Sequence, residues 1–157
     1  MNRKILYTLV LLLFFAACKY EDGPIISYNS KYQRLKGEWQ IEHLEIDGMD
    51  STQLYIDSCN CNLRFHKEHD YGWGGGQLID LLKCKPSNWN GANRGYWEFL
   101  ENKKILYVNL YSTYGYHGIG PINRDDSDWE ILRLTNKEFW FISIVQNKKY
   151  FFKFKVK

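Results

Sequence analysis

The chain has 157 residues, of which 45% are hydrophobic and 17% aromatic, and a net charge of +3 at pH 7. This length is enough for one domain with a real core, and a composition with only three prolines argues against disorder. Without Arg3 and Lys4, which we expect to be removed, 19 basic side chains face 18 acidic ones. A charge so near zero gives no reason to expect nucleic acid or another strongly charged partner.

The first 22 residues indicate where the protein is located. Arg3 and Lys4 precede the apolar run 5–17, which is too short for a bilayer span of about 20 residues and ends in small residues before Cys18. The segment resembles a bacterial lipoprotein signal peptide, which implies cleavage after residue 17 and lipidation of Cys18. An ordinary signal peptide with a chance cysteine and an uncleaved signal anchor are the alternatives. Several acyl chains would hold the protein on a membrane almost irreversibly.

The next segments are a tether and the first strand. Residues 18–29 include Gly23-Pro24 and have no sustained period, so we predict a tether there, followed by the folded domain at 30–157. Residues 30–36 can form a short helical turn. From Trp39 to Ile46, apolar and polar residues alternate with the period of a half-buried strand.

The middle of the chain is less regular. Leu63 and Phe65 alternate with polar residues, which predicts a short strand, and residues 77–84 predict another. Between them, Tyr71 and Trp73 lie among four glycines, a composition typical of a bulge, a tight bend or a close backbone approach.

The second half determines the predicted fold. Five strands are predicted there, at 95–100, 105–111, 128–134, 138–145 and 150–156, and short polar turns separate them except at the long connection 112–127. About eight strands and no long helix indicate an all-β, antiparallel up-and-down meander with a short N-terminal helical turn. Closure into a barrel is favoured because an open meander leaves two exposed edges. Both faces of 105–111 are fairly apolar, which is typical of a partner surface or of a covered strand.

The cysteines predict one disulfide. With Cys18 assigned to lipid, Cys59, Cys61 and Cys84 remain in a protein exported to an oxidising compartment. We expect a bridge from Cys59 or Cys61 to Cys84, with one thiol left over. His66 and His69 suggest a zinc site beside these thiols. Strand positions three apart point to opposite faces, so a disulfide with two surface histidines is favoured and no metal site is predicted.

Several segments together resemble the lipocalin-like lipoproteins of Bacteroidota. The similarity rests on Cys18, Glu21-Asp22-Gly23-Pro24, Ser30-Lys31, Arg34-Leu35, Gly37-Glu38-Trp39 and the aromatic segment 128–157. It implies an eight-stranded barrel with Trp39 plugging the closed end, Lys153 or Lys155 stacking on that ring, and an open end that takes a small ligand. It also implies an outer-membrane lipoprotein, facing the periplasm or displayed on the cell surface.

No motif indicates an enzyme or a cofactor, because the chain lacks the nucleophile, zinc-protease and phosphate-loop signatures. Asn123, Asp125, Asp126 and Asp128 are more typical of a solvated acidic turn than of a calcium loop. The candidate ligand or partner contacts are aromatic residues in irregular segments, whose rings either stack on a sugar or protein or cap an aromatic core. These residues are Tyr71, Trp73, Trp89, Tyr111, Tyr114 and Tyr116.

Two functional hypotheses follow. The first is a membrane-anchored barrel that binds a small apolar or amphipathic ligand in its interior without catalysis. The second is a filled barrel that acts as an envelope interaction module and binds protein or polysaccharide through its loops. An enclosed cavity above about 300 Å³ would favour the first, and an interior packed with Trp and Phe would favour the second.

Overall fold

A computed structural model describes residues 29–69, 76–82, 84, 94–110, 120–123 and 126–157. Within these residues the helices are α1 (Lys31–Leu35) and α2 (Thr52–Ser58), with single 3₁₀ turns at Glu101–Lys103 and Gly120–Asn123. The strands are β1 (Gly37–Ile46), β2 (Met49–Asp50), β3 (Asn62–His69), β4 (Gln77–Leu82), β5 (Arg94–Leu100), β6 (Ile105–Leu110), β7 (Ser127–Leu134), β8 (Glu138–Val145) and β9 (Lys148–Val156). The predicted signal peptide and most of the predicted tether lie outside the described residues.

Eight of the strands close into an antiparallel up-and-down barrel, as the sequence predicts. Strands β1 and β3 to β9 pair in chain order, and β1 also pairs with β9, so the sheet closes on itself. The two-residue β2 pairs only with the end of β1. Closure removes the exposed edges that an open meander would have.

The barrel interior follows from strict alternation along the strands. In β9 the side chains of Tyr150, Phe152 and Phe154 are buried, while Phe151 and Lys153 point outward and are half-buried. The same period in the other strands fills the interior with rings and aliphatic side chains. The largest fully buried side chains are Trp39, Trp97, Trp129, Tyr55, Phe65, Phe139, Phe141, Phe152 and Phe154.

Helix α1 covers one end of the barrel, which we call the α1 end. Ser30 and Gln33 form a reciprocal capping box that starts the helix, as a Ser three residues before a Gln allows. The indole Nε1 of Trp39 donates to the carbonyl of Leu35 at 2.7 Å, and Arg34 Nη1 donates to the carbonyl of Leu134 at 2.8 Å. The helix therefore ties the start of β1 to the β7–β8 hairpin.

Trp39 is fully buried at the α1 end, but the predicted stacking by a lysine is wrong. Lys153 Nζ lies 5.1 Å from the ring centroid of Trp140, on the outer wall, and Lys155 is exposed. Both lysines alternate with inward-facing phenylalanines on β9, which places them outside the barrel. Inside, Trp39 packs edge-on against Phe139, with ring centroids 5.9 Å apart.

The opposite end, which we call the far end, contains a helix that the sequence analysis missed. Strand β1 pairs with β3 only over Gly37–Trp39, and α2 packs against the rest of β1. Tyr55 of α2 is fully buried, and its hydroxyl donates to the carbonyl of Cys61 at 2.9 Å. Helix α2 therefore fills the space that the short β1–β3 ladder leaves.

A disulfide also lies at the far end. It joins Cys61, just before β3, to Cys84, just after β4, with the two Cα atoms 4.3 Å apart. Cys59 is buried and lies outside this disulfide. Of the two predicted pairings, the structure has the one that links the tips of neighbouring strands β3 and β4.

Candidate functional site

The interior of the barrel is occupied by a stack of aromatic rings. Trp129 and Phe141 lie nearly parallel, with centroids 4.3 Å apart, and Phe141 stacks on Phe152 at 5.0 Å. Phe154 continues the stack at 6.0 Å from Phe141. An eight-stranded barrel is just wide enough for its own side chains or for one small ligand, and here large rings use that space.

The outer wall has a groove where β7 and β8 separate. Their ladder has a register shift between Ile131 and Arg133 and ends at the pair Glu130 and Ile142, although β7 begins at Ser127 and β8 continues to Val145. In the gap, the buried Ser143 hydroxyl donates to the carbonyl of Asp128 at 2.8 Å. The hydroxyl takes the place of a backbone N–H donor there, so this carbonyl keeps a hydrogen bond although the two strands separate.

The 3₁₀ turn at 120–123 supports the groove from the far end. Gly120 has a φ of +59°, and its Cα lies so close under the Tyr150 ring that a Cβ would be 2.5 Å from a ring carbon. Only glycine fits both conditions. The turn places the carbonyl of Pro121 3.2 Å from the Ser127 hydroxyl and buries Ile122 completely.

This β7–β8 groove has a volume of about 310 Å³ and two chemically different sides. Asp126, Asp128 and Glu130 are exposed along the β7 side. The other side is aliphatic, and Ile144 there is 72% exposed. The described residues that line it are Ile105, Asp126, Ser127, Asp128, Glu130, Ile142, Ser143, Ile144 and Val145.

Asp126 is held at the rim of the groove by two neutral donors on β6. The Tyr107 hydroxyl donates to it in a short hydrogen bond, and Asn109 Nδ2 donates at 2.7 Å. These bonds hold the pKa of the Asp126 carboxyl below its usual range, and the bond from Tyr107 has the largest effect. The same bond to Asp126 raises the pKa of Tyr107. Asp126 is therefore a fixed negative charge at neutral pH.

A second groove adjoins the first through Ile142. It has a volume of about 270 Å³ and is lined by Glu45, Gly48, Ile142, Lys149 and Phe151. The register places Ile142 opposite Phe151, and Ile144 opposite Lys149. The two grooves thus form one strip across β7, β8 and β9 with an apolar floor.

Below the strip, towards the α1 end, the outer wall carries a fully paired charge ladder. Arg133 and Lys153 lie on the Trp140 ring, 5.0 and 5.1 Å from its centroid. Each also has a carboxylate partner, Glu138 at 2.7 Å and Glu42 at 3.0 Å respectively. Cation–π contacts and ion pairs here satisfy one another within the chain.

His43 lies beside carboxylates on the outer wall, in a hydrogen-bonded cluster with Glu45 and Thr52. Its Nε2 is 2.9 Å from Glu45, and its Nδ1 is 3.2 Å from the Thr52 hydroxyl. That hydroxyl also donates to Asp50 at 2.7 Å and accepts the Leu44 N–H at 3.0 Å. Hydrogen bonds from the Thr52 side chain and backbone lower the pKa of Asp50. The arrangement fastens the β1–β2 hairpin to α2.

The aromatic contacts predicted from the sequence lie outside the described residues, as does Cys18. Those contacts are Tyr71, Trp73, Trp89, Tyr111, Tyr114 and Tyr116. Of the described residues that flank two of these segments, His69 and Gln77 pair near the α1 end, whereas Leu110 and Gly120 lie at the far end.

The other predicted site residues are separated as well. Cys61 is in a disulfide, so its sulfur is unavailable as a zinc thiolate, and His66 Nε2 is bound to Asp80 at 2.8 Å. Among the residues that the structure describes, no three His, Cys, Asp or Glu side chains are grouped to hold a metal ion. In the same residues, no helix is both long and apolar enough to cross a membrane.

The groove is not among the sites predicted from the sequence, although two sequence signals of an apolar outer wall are present. Strand β8 is apolar on both faces, with Phe139 and Phe141 alternating with Ile142 and Ile144. Strand β6 has the same character and contributes Ile105 to the groove.

A search of protein-family models finds no match to this chain, and no curated protein matches it.

Proposed function

We propose that this protein is a lipid-anchored envelope lipoprotein whose filled barrel serves as a non-catalytic interaction module. The proposal takes the second of the two hypotheses drawn from the sequence. The observation that supports it best is the packed aromatic interior, in which Trp129, Phe141 and Phe152 stack at contact distance. A chain that has used its interior for side chains has to bind on its surface.

The outer wall supports the same proposal. The grooves of about 310 and 270 Å³ both open on the wall of β7, β8 and β9, on the opposite side of the sheet from the aromatic stack. The strongly exposed Ile144 lines the larger groove together with exposed carboxylates. Large exposed apolar side chains in a groove with a polar rim are typical of interaction sites.

The test of the filled interior is the uptake of an apolar fluorescent probe, 1-aminoanthracene, by the full-length protein. We expect no saturable fluorescence increase for the natural chain. The matched control is Phe141→Ala, which removes the central ring of the stack and should create a cavity that takes up the probe. Saturable binding by the natural chain would show an open interior and overturn the proposal in favour of small-ligand transport.

The test of the anchor uses Cys18→Ser. We expect the natural chain in the membrane fraction and the variant in the soluble fraction after cell lysis. A cleaved Cys18→Ser product that stays with the membrane would contradict the lipoprotein assignment. Mass spectrometry of the mature N-terminus identifies cleavage and acylation directly.

A further inference from the structure

We propose that the β7–β8 groove is the docking surface for an extended segment of a partner protein in which basic and apolar side chains alternate. This inference rests on the proposed function, because a ligand-carrying barrel would use its interior instead. It adds the place of binding and the chemistry of the partner.

The first observation is an apolar wall that nothing in the described structure covers. Ile144 is 72% exposed, and it lies on the part of β8 that pairs with β9 but no longer with β7. Ile142 and Ile105 line the same groove and are half-buried. A partner's side chains lying on these three would remove apolar surface from water.

The second observation is that the carboxylates of this groove lack the cationic partner that several other carboxylates have. Glu38, Glu42, Asp80 and Glu138 each have a Lys or Arg partner within 3.1 Å. Among the described residues, the three carboxylates on the β7 side of the groove make no such ion pair. Asp126 has only neutral donors, Tyr107 and Asn109.

The charge of the whole chain sharpens this contrast. Once the signal peptide is removed, 19 basic side chains face 18 acidic ones, so a cationic ligand is not attracted to the surface in general. The negative field at Asp126, Asp128 and Glu130 is local, and it favours positive charge at the groove. Carboxylates without an ion-pair partner beside an apolar wall complement a cation with an aliphatic stem, which is a lysine or arginine side chain.

The spacing favours an extended peptide. Asp128 and Glu130 are two residues apart on one strand, and their side chains point to the same face about 6.6–6.8 Å apart. Alternate side chains of an extended segment repeat at the same distance. A segment lying along the groove therefore presents one cation to each carboxylate, and its apolar positions face Ile142 and Ile144. Among the described residues, the groove lining includes no aromatic ring that would stack on a sugar, so a polysaccharide is the weaker fit.

The experiment measures fluorescence anisotropy of a labelled octapeptide of alternating lysine and leucine, with full-length protein in detergent. Two matched probes alternate glutamate with leucine and lysine with serine. We expect saturable binding of the lysine–leucine peptide at 50 mM salt that weakens at least tenfold at 500 mM salt. The glutamate–leucine peptide should not bind, and the lysine–serine peptide should bind at least fivefold more weakly.

The variant Asp128→Asn/Glu130→Gln removes both charges and retains the shapes of the side chains. It should weaken binding of the lysine–leucine peptide at least tenfold, and Ile144→Ser should weaken it about fivefold. The matched control is Glu98→Gln/Glu101→Gln, which removes two exposed carboxylates near the β5–β6 hairpin, outside the groove lining. It should bind as the natural chain does, and circular dichroism should show that every variant is folded.

Three results would overturn the inference. One is unchanged binding by Asp128→Asn/Glu130→Gln. Another is a dimer, seen by light scattering, that Ile144→Ser dissociates, since that assigns the groove to a second copy of the chain. The third is binding of envelope polysaccharide that is lost in Asp128→Asn/Glu130→Gln while the peptides do not bind. None of these results depends on uptake of 1-aminoanthracene by the barrel interior. Failure of the docking site is therefore distinguishable from failure of the proposed function.

Discussion

The two ends of the barrel are closed by different chemistry. At the α1 end, a five-residue helix is tied to the strands by side-chain hydrogen bonds to carbonyls, from Trp39 to Leu35 and from Arg34 to Leu134. At the far end, a disulfide, the buried Tyr55 and a 3₁₀ turn fill the opening, and the β7–β8 ladder stops short. The contacts at the α1 end therefore stabilise the fold, whereas the far end combines a covalent cross-link with an exposed groove.

The largest expected effect is at the α1 end. Trp39→Ala removes a fully buried indole together with its hydrogen bond to Leu35, and it should lower the free energy of unfolding by about 4 kcal/mol. Trp140→Ala is the matched control, because its ring lies on the outer wall between two cations; it should cost about 1 kcal/mol. Urea unfolding of both variants measures the difference. Equal losses would contradict the view that the α1 end depends on its buried tryptophan.

The disulfide at the far end should have the next largest effect. Cys61→Ala/Cys84→Ala opens a loop with a sequence separation of 23 residues and should cost about 3 kcal/mol, mainly by increasing the entropy of the unfolded chain. Unfolding of the variant and of the natural chain with dithiothreitol should then coincide. A control, Cys59→Ala, removes only the thiol outside the bridge and should retain the sensitivity of the natural protein to reductant. Loss of that sensitivity in Cys59→Ala would show that Cys59 takes part in the bridge.

Much of this architecture was predictable from the sequence, because strand alternation is a local signal. The eight barrel strands were all anticipated, with ends that differ from the observed ones by a few residues. Helix α2 was missed because Thr52–Ser58 is short and mostly polar, and its stability comes from Tyr55 buried against β1 and β9. The groove was missed for a related reason. It depends on where the β7–β8 ladder ends and on Ser143 satisfying a carbonyl, and neither is a property of one segment.

A smaller effect, with a defined pH dependence, is expected from Glu38 near the α1 end. Lys157 most strongly, then Asn62 and Arg64, lower the pKa of its carboxyl from 4.5 to about 2. Because the folded pKa is lowered, this stabilisation is complete above pH 4.5 and is lost as the pH falls towards 2. Glu38→Gln should cost about 1 kcal/mol at pH 7, since these contacts are partly exposed to solvent. Urea midpoints at pH 7, 4 and 2.5 should converge between variant and natural chain. A gap that persists at pH 2.5 would contradict the electrostatic origin.

The smallest effect on stability is expected in the groove, at Ile144. Since this side chain is 72% exposed in the folded chain, Ile144→Ser removes little buried apolar surface, and the free energy of unfolding should change by less than about 0.5 kcal/mol. The neighbour Phe141→Ala, three residues away but facing the interior, should cost about 4 kcal/mol. A large loss for Ile144→Ser would mean that the exposed isoleucine supports the β7–β8 separation itself. A negligible loss of stability, together with weaker peptide binding, would show that binding and folding depend on different residues at the far end. The α1 end does not allow this separation, because its tryptophan and helix stabilise the fold.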